Sequence, residues 1–209
     1  KSTLLSLISG LLRTEEGSIR LNGEETKTLQ KSIGYMLQKD HLFEWRTIYR
    51  NVILGLEIQG VLDEKSKDRV EQMLKDYGLA CFRNARPSQL SGGMRQRAAL
   101  IRTLAPDPEL LLLDEPFSAL DFQTRLSVCD DVWTILQREK KTAILVTHDL
   151  SEAVSMADRV LVLTKRPAKI CADIRIQFEK EKATPFERRG EPEFKEYFNE
   201  IWKELNLHG

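Results

Sequence analysis

The sequence has no long apolar run. Its most apolar-looking stretch, residues 4–12 (LLSLISGLL), carries Ser and Gly and falls far short of the roughly 20 residues a bilayer core requires. No segment joins a basic start, an apolar stretch and a small-residue cleavage site, so no signal peptide is read. Cysteine is scarce. Cys81, Cys129 and Cys171 are far apart and odd in number, which gives no disulfide framework and no CxxC metal pattern and favours a reducing compartment. Each is read as a small buried hydrophobe. Net charge is absent too: 32 Lys+Arg balance 32 Asp+Glu over 209 residues, so the overall basic field of a dedicated nucleic-acid binder is missing. Repeats, low-complexity tracts and sustained heptads are lacking. What is present, 41% hydrophobic and 31% charged residues, is ordinary globular composition and excludes a disordered chain. The first residue is Lys1, not Met, which reads as a fragment or a processed product.

Local patterns alternate between helix and strand. Leu4, Leu5, Ile8, Leu11 and Leu12 have helical spacing. Residues 18–21 alternate as a strand before the turn pair Asn22-Gly23, and residues 33–37 form another short strand that ends at Gln38. Residues 47–86 read as helical, with Val70, Met73, Leu74 and Tyr77 on one face and Gly78 as a stop. Ser91 is placed to cap a helix running to Ala105, ended by Pro106 and Pro108. The runs at 110–114 (LLLLD) and 142–146 (TAILV) suit strands buried on both faces of a parallel sheet, with residues 126–137 as the crossover helix. Strands are expected at 160–163 and 170–178. A terminal amphipathic helix over 193–205 carries Phe194, Phe198, Ile201 and Leu205. The fold class is α/β with a helical insertion near residues 47–88.

Four features carry chemistry. Leu90-Ser91-Gly92-Gly93 leaves backbone N–H groups bare at a helix start, where free donors and the helix dipole both favour an anion; taken alone it also fits a glycine-rich turn. Asp114, at the C-terminal end of a buried strand, stands where open α/β sheets bind ligands and suits Mg2+. Adjacent Glu115 suits a base that polarises an attacking water, although an isolated Asp-Glu pair reads equally as two solvated acids. Lys1-Ser2-Thr3 opens a helix as the last residues of a G-x-x-x-x-G-K-[ST] loop do, with Lys on phosphates and Ser or Thr on Mg2+. His148, just past a buried strand, is placed to bond a γ-phosphate or to hold a catalytic water, or simply to enter a helix beside Asp149. His41 and His208 have no such context and are read as surface residues.

The order of these features resembles the ATP-binding cassette family of ATPases over nearly the whole chain. Lys1-Ser2-Thr3 looks like the end of the Walker A loop, and Gln38 like the Q-loop glutamine that senses Mg2+ and the attacking water. Leu90 to Gly93 is similar to the family signature, which reaches the γ-phosphate of ATP held by the other subunit. Residues 110–114 resemble Walker B, Glu115 the catalytic glutamate, Ser118-Ala119-Leu120-Asp121 the D-loop, and His148 the switch histidine. Met94 stands where the signature often has Gln, leaving Ser91, Gly92 and Gly93 intact. The Walker A glycines, their strand and the adenine-stacking aromatic would precede residue 1. The resemblance therefore implies a P-loop cassette lacking its N-terminal strands, with weakened nucleotide affinity for residues 1–209 alone.

What the resemblance implies is a single ATPase domain with a mainly parallel sheet. Residues 1–46 and 106–209 would form the core and residues 47–105 an inserted helical subdomain. ATP and Mg2+ are the expected ligands: Lys1, Ser2, Thr3, Ser91, Gly92, Gly93 and Asp121 at the nucleotide, Ser2, Gln38 and Asp114 at the metal, and Glu115, His148 and Gln38 in catalysis. Residues 38–47 (QKDHLFEWRT) and the tail from Lys165 look like importers of the nitrate, sulfonate, taurine and bicarbonate group. The implied partners are a permease transmembrane subunit, a second copy of the cassette and a separate solute-binding protein, with no nucleic acid, at the cytoplasmic face of the membrane. Phe43, Trp45 and the helix from Thr47 are expected at the permease contact. The competing reading is a cassette acting on DNA or ribosomes; the compact interval between Gln38 and Leu90, without sustained heptads, argues against inserted coiled coils.

Overall fold

A computed structural model describes residues 1–25, 32–180 and 183–208, the side chain of residue 208 excepted, so the reading of His208 as a surface residue lies outside the described side chains. The chain divides into two compact units, Lys1–Val146 and Thr147–Gly209.

The first unit is built on a parallel sheet in the order β3-β4-β5, with β3 Ile33–Met36, β4 Leu110–Asp114 and β5 Thr142–Val146. Every residue of β4 is buried, as its unbroken apolar run requires of a central strand. β5 departs from that expectation: as an edge strand among the described residues it is only partly buried, and Thr142 is exposed. Leu5 of helix α1 (Ser2–Ile8) is fully buried against Leu110 and Leu112 of β4. Each such leucine contributes about 1.5–3 kcal/mol by leaving water. The hairpin of β1 (Arg20–Leu21) and β2 (Glu24–Glu25) turns at Asn22-Gly23, and Asn22 Nδ2 donates to Glu109 Oε2 at 2.7 Å just before β4.

The helical stretch expected over 47–86 is broken into α2 (Ile48–Val52), α3 (Leu54–Gln59) and α4 (Glu64–Asp76), followed by 3-10 turns at Ala80–Phe82 and Pro87–Gln89. Its breaks have local causes. Asp63 and Ser66 form a reciprocal capping box that starts α4, and Gly78, at φ 71°, supplies the left-handed residue that stops the chain after Tyr77. Val70, Met73, Leu74 and Tyr77 are buried, so the apolar face was correctly read. α5 (Gly92–Leu104) is capped by Ser91, whose Oγ accepts from Met94 N–H. α6 (Phe122–Arg138) begins four residues earlier than residue 126 because Asp121 caps it, accepting from Thr124 N–H at 3.0 Å. Of the three cysteines, Cys129 on α6 is buried, Cys171 is half-buried and Cys81 is exposed, so the buried reading fails for Cys81.

The second unit packs helix α7 (Leu150–Met156), α8 (Pro185–Arg188) and α9 (Pro192–His208) with an antiparallel pair, β6 (Arg159–Leu163) and β7 (Ile170–Arg175). Its core joins Val154, Val160, Val162, Ile174, Ile176, Phe178 and Ile201. β7 ends at Arg175, short of Phe178, opposite the first residue of its partner strand, Arg159; beyond it Ile176 N–H donates to the Asp158 carbonyl at 3.0 Å, and Ile176 and Phe178 are buried. No helix of the described residues is long and apolar enough to cross a membrane.

Candidate functional site

Gln38, Asp114 and Glu115 meet at the C-terminal ends of β3 and β4. Parallel strands of adjacent register deliver Met36 opposite Leu113 and Asp114 opposite Val146, so the loops leaving β3 and β4 emerge side by side. Gln38 Nε2 lies 3.3 Å from Glu115 Oε2 and 3.4 Å from Ser118 Oγ, and Ser118 Oγ donates to the Glu115 carbonyl at 3.0 Å. Glu115 holds φ at 46°, a left-handed backbone that a long side chain adopts at a cost of about 1–3 kcal/mol. The surroundings enforce it: Glu115 N–H donates to the Val146 carbonyl at 2.8 Å, and Phe117 two residues on is fully buried.

Asp114 is 7% exposed and its Oδ2 lies 3.4 Å from the Tyr35 hydroxyl on β3. Burial, and then the Asp114 carboxylate, push the Tyr35 phenol above its ordinary value against a hydrogen bond with Ser6 on α1. Tyr35 thus stays a neutral donor. Among the described residues no cluster of three or more His, Cys, Asp or Glu is placed to hold a metal unaided. One buried carboxylate with hydroxyl and amide oxygens nearby fits Mg2+, which dehydrates reluctantly and takes one or two carboxylates plus substrate phosphates.

The glycine turn lies at the head of α5. Ser91 and Gly92 are exposed and Gly93 is buried. A Cβ on Gly93 would stand 2.9 Å from Val128 Cγ2 on α6, and one on Gly92 would stand 3.2 Å from Leu120 Cδ2, the residue before Asp121. The turn and the Ser118–Asp121 segment are therefore neighbours, with Ser91 and Gly92 exposed. Asp121 is held below the usual carboxylate range chiefly by the side-chain and backbone hydrogen bonds of Thr124, which fits an N-cap. Lys1, Ser2 and Thr3 are exposed at the start of α1, with Lys1 as its N-cap. His148 is exposed in the second unit, between Thr147 and Asp149; Asp149 caps α7, accepting from Ser151 and Glu152 N–H, and Thr147 Oγ1 donates to Glu152 Oε2 at 2.6 Å. A shallow cleft lined by Leu7, Leu12, Thr14, Ile19 and Glu25 contains none of the candidate residues.

A model of the ABC transporter family matches residues 1–118. The chain belongs to the ABC transporter family. Over 206 residues it is 50% identical to the ABC transporter ATP-binding protein YtlC of Bacillus subtilis (strain 168), covering 99% of this chain and 79% of that protein. The nitrate import ATP-binding protein NrtD of a Synechocystis species is 40% identical over 205 residues, covering 96% and 77% respectively. A solved dimeric structure of the ATP-binding cassette MJ0796, in a post-hydrolysis state bound to ADP and Pi, superposes with a TM-score of 0.67 at 27% identity, covering 85% of this chain and 81% of that one. The α/β cassette fold expected from the motifs is therefore the fold of this ABC transporter ATP-binding protein.

Four residues around the candidate site escaped the sequence reading. Tyr35 touches Asp114, Gln96 on α5 donates to the Pro116 carbonyl beside Glu115, Arg95 pairs with Asp40, and fully buried Asn51 holds the backbone after Gln38. For Asn51 and Gln96 a signal existed: each is a polar residue at a helical position otherwise buried and apolar, beside Ile48 and Val52 or Ala99 and Leu100.

Proposed function

We propose that this protein is the ATP-hydrolysing subunit that energises solute uptake by an importer, with two copies closing head to tail around Mg-ATP. The observation that carries the proposal is the convergence of Gln38, Glu115 and Ser118 beside buried Asp114. Glu115 accepts the proton of the water that attacks the γ-phosphate, and its left-handed backbone fixes the carboxylate direction. Gln38 donates to Glu115 through Nε2, which leaves Oε1 to orient that water or to face the metal. When bound, Mg2+ would neutralise phosphate charge, with Asp114, Ser2 and Gln38 supplying protein oxygens. Lys1, Ser2 and Thr3 lie on the phosphates of the chain's own nucleotide. The N–H groups of Ser91, Gly92 and Gly93 meet the γ-phosphate of the partner's nucleotide, with Asp121 beside them. His148 holds the γ-phosphate or the water.

In this reading residues 1–209 form one ATPase domain whose helical part is 47–105. Phe43 and Trp45, with ring centroids 4.7 Å apart and Trp45 70% exposed, contribute to the permease contact at the cytoplasmic face of the membrane. The importer assignment draws support from relatives named for nitrate import. A separate solute-binding protein completes the complex. The test is light scattering of the full-length protein with and without Mg-ATP under conditions that slow turnover. A monomer-to-dimer shift that depends on ATP, lost in Ser91→Arg, is expected. A monomer at saturating ATP would reject the head-to-tail arrangement, and co-purification with DNA or ribosomes in place of a membrane permease would reject the importer reading.

A further inference from the structure

Arg95 and Gln96 follow closely on the Ser91–Gly93 turn, and both side chains leave α5 for loops that carry other site residues. Arg95 forks onto Asp40, with Nε 2.9 Å from Oδ2 and Nη2 3.2 Å from Oδ1, and its Nη1 lies 2.9 Å from Glu44 Oε1. Both acids stand in the segment that starts at Gln38. Two turns along α5, Arg102 donates from Nη1 to the His41 carbonyl and from Nη2 to the Asp40 carbonyl, each at 2.6 Å. The Gln38 segment is therefore gripped through a carboxylate and through its backbone. In the other direction, buried Gln96 donates from Nε2 to the carbonyl of Pro116, the residue after Glu115. The head of α5 is thus tied to both catalytic segments of its own chain.

We propose that Arg95 and Gln96 are positioning residues that couple the Ser91–Gly93 turn to Gln38 and Glu115 of the same chain, so that the two nucleotide sites of the dimer respond together. The proposal rests on the function argued above. There, the turn addresses the partner's nucleotide while Gln38 and Glu115 address the chain's own. The turn opens the same 13-residue helix that carries Arg95, Gln96 and Arg102, so displacing the turn loads the contacts those side chains make. The planar guanidinium fork fixes orientation as well as distance, which a point-charge ammonium does not. A buried amide such as Gln96 follows its partner carbonyl because leaving it unpaired is costly. Engagement of one site is thereby passed to the other, and coupling of this kind is reciprocal for binding.

The test measures ATP hydrolysis against ATP concentration for the full-length wild-type protein, Arg95→Lys, Asp40→Asn and the double variant, with thermal melting alongside. The Hill coefficient of the wild type is expected to approach two, the number of sites. Each single variant should fall toward one and lose about tenfold in kcat, with half-saturating ATP changed less than about twofold. The double variant should be no worse than either single one. Gln96→Met should reproduce the loss independently. An unchanged Hill coefficient and kcat in Arg95→Lys, effects that multiply in the double variant, or a non-cooperative wild type would overturn the coupling. So would a loss of rate matched by a fall in melting temperature with the Hill coefficient intact. A wild-type protein that does not hydrolyse ATP would instead refute the function on which the coupling rests.

Discussion

Asn51→Ala is expected to loosen the segment between Gln38 and α2 far more than one side chain suggests. Asn51 is fully buried, and its Oδ1 accepts from Phe43 N–H at 2.7 Å. Its Nδ2 donates among the carbonyls of Phe43 at 3.1 Å, Thr47 at 3.0 Å and Arg46 at 3.3 Å. Nδ2 has only two protons, so the amide supplies about three effective bonds, each contributing about 1 kcal/mol net, and the stranded Phe43 donor adds about 1–3 kcal/mol. Alanine returns up to about 0.7 kcal/mol through helix propensity, and relaxation toward water recovers more, leaving a loss of about 2–4 kcal/mol. Amide exchange at Arg46 measures this cleanly, because its N–H bonds to the Phe43 carbonyl and not to Asn51. Its protection should fall by about 30- to 1000-fold at 1.4 kcal/mol per decade. Protection within about threefold of wild type would refute the claim that Asn51 organises this turn.

Gly93→Ala would place a Cβ 2.9 Å from Val128 Cγ2 and should cost about 1–3 kcal/mol by overpacking, read as a lower urea midpoint, together with weaker ATP-dependent dimerisation. Burial of Asp40 favours its neutral form, but the hydrogen bonds from Arg95 and the Leu42 N–H and the charges of Arg95 and Arg102 outweigh it and hold its carboxyl below the usual range. Its folded value is thus depressed, so its contribution is present above about pH 4 and is lost as pH falls through the lower folded value. Asp40→Asn should therefore flatten the acid limb of melting temperature below about pH 4 relative to wild type, and an unchanged limb would contradict the assignment. Trp45→Ala in the assembled transporter should weaken permease association measured by co-purification while sparing nucleotide binding; normal assembly and coupling would make Trp45 a packing residue.

The elements that local sequence specifies were legible, and those set by distant partners were not. β4 declared itself through four leucines and a terminal Asp, and α5 through a capping Ser followed by a helical apolar face, because burial on two faces and a missing helical donor each leave a local mark. The break between α2 and α3 was hidden because buried Ile53 continues the apolar face with a helical backbone, whereas the break before α4 had local marks in Gly60 and the Asp63–Ser66 capping box. Motif order offered Gln38, Asp114, Glu115 and Ser91–Gly93 as candidates, but not the contacts that surround them. Arg95 meets Asp40 across 55 residues and Tyr35 meets Asp114 across 79, and nothing near either residue encodes such a pairing. Likewise, the strained φ of Glu115 arises from the buried Phe117 and the Val146 carbonyl, neither of which marks it locally.

The central claim is that Glu115 is the base of an ATPase, and phosphate release by the full-length Glu115→Gln variant under saturating Mg-ATP tests it most directly. The amide keeps the size of the side chain and a hydrogen bond to Gln38 but cannot take the proton of the attacking water. Turnover should fall by about 10²- to 10⁴-fold while ATP binding persists. Near-normal phosphate release would contradict the account.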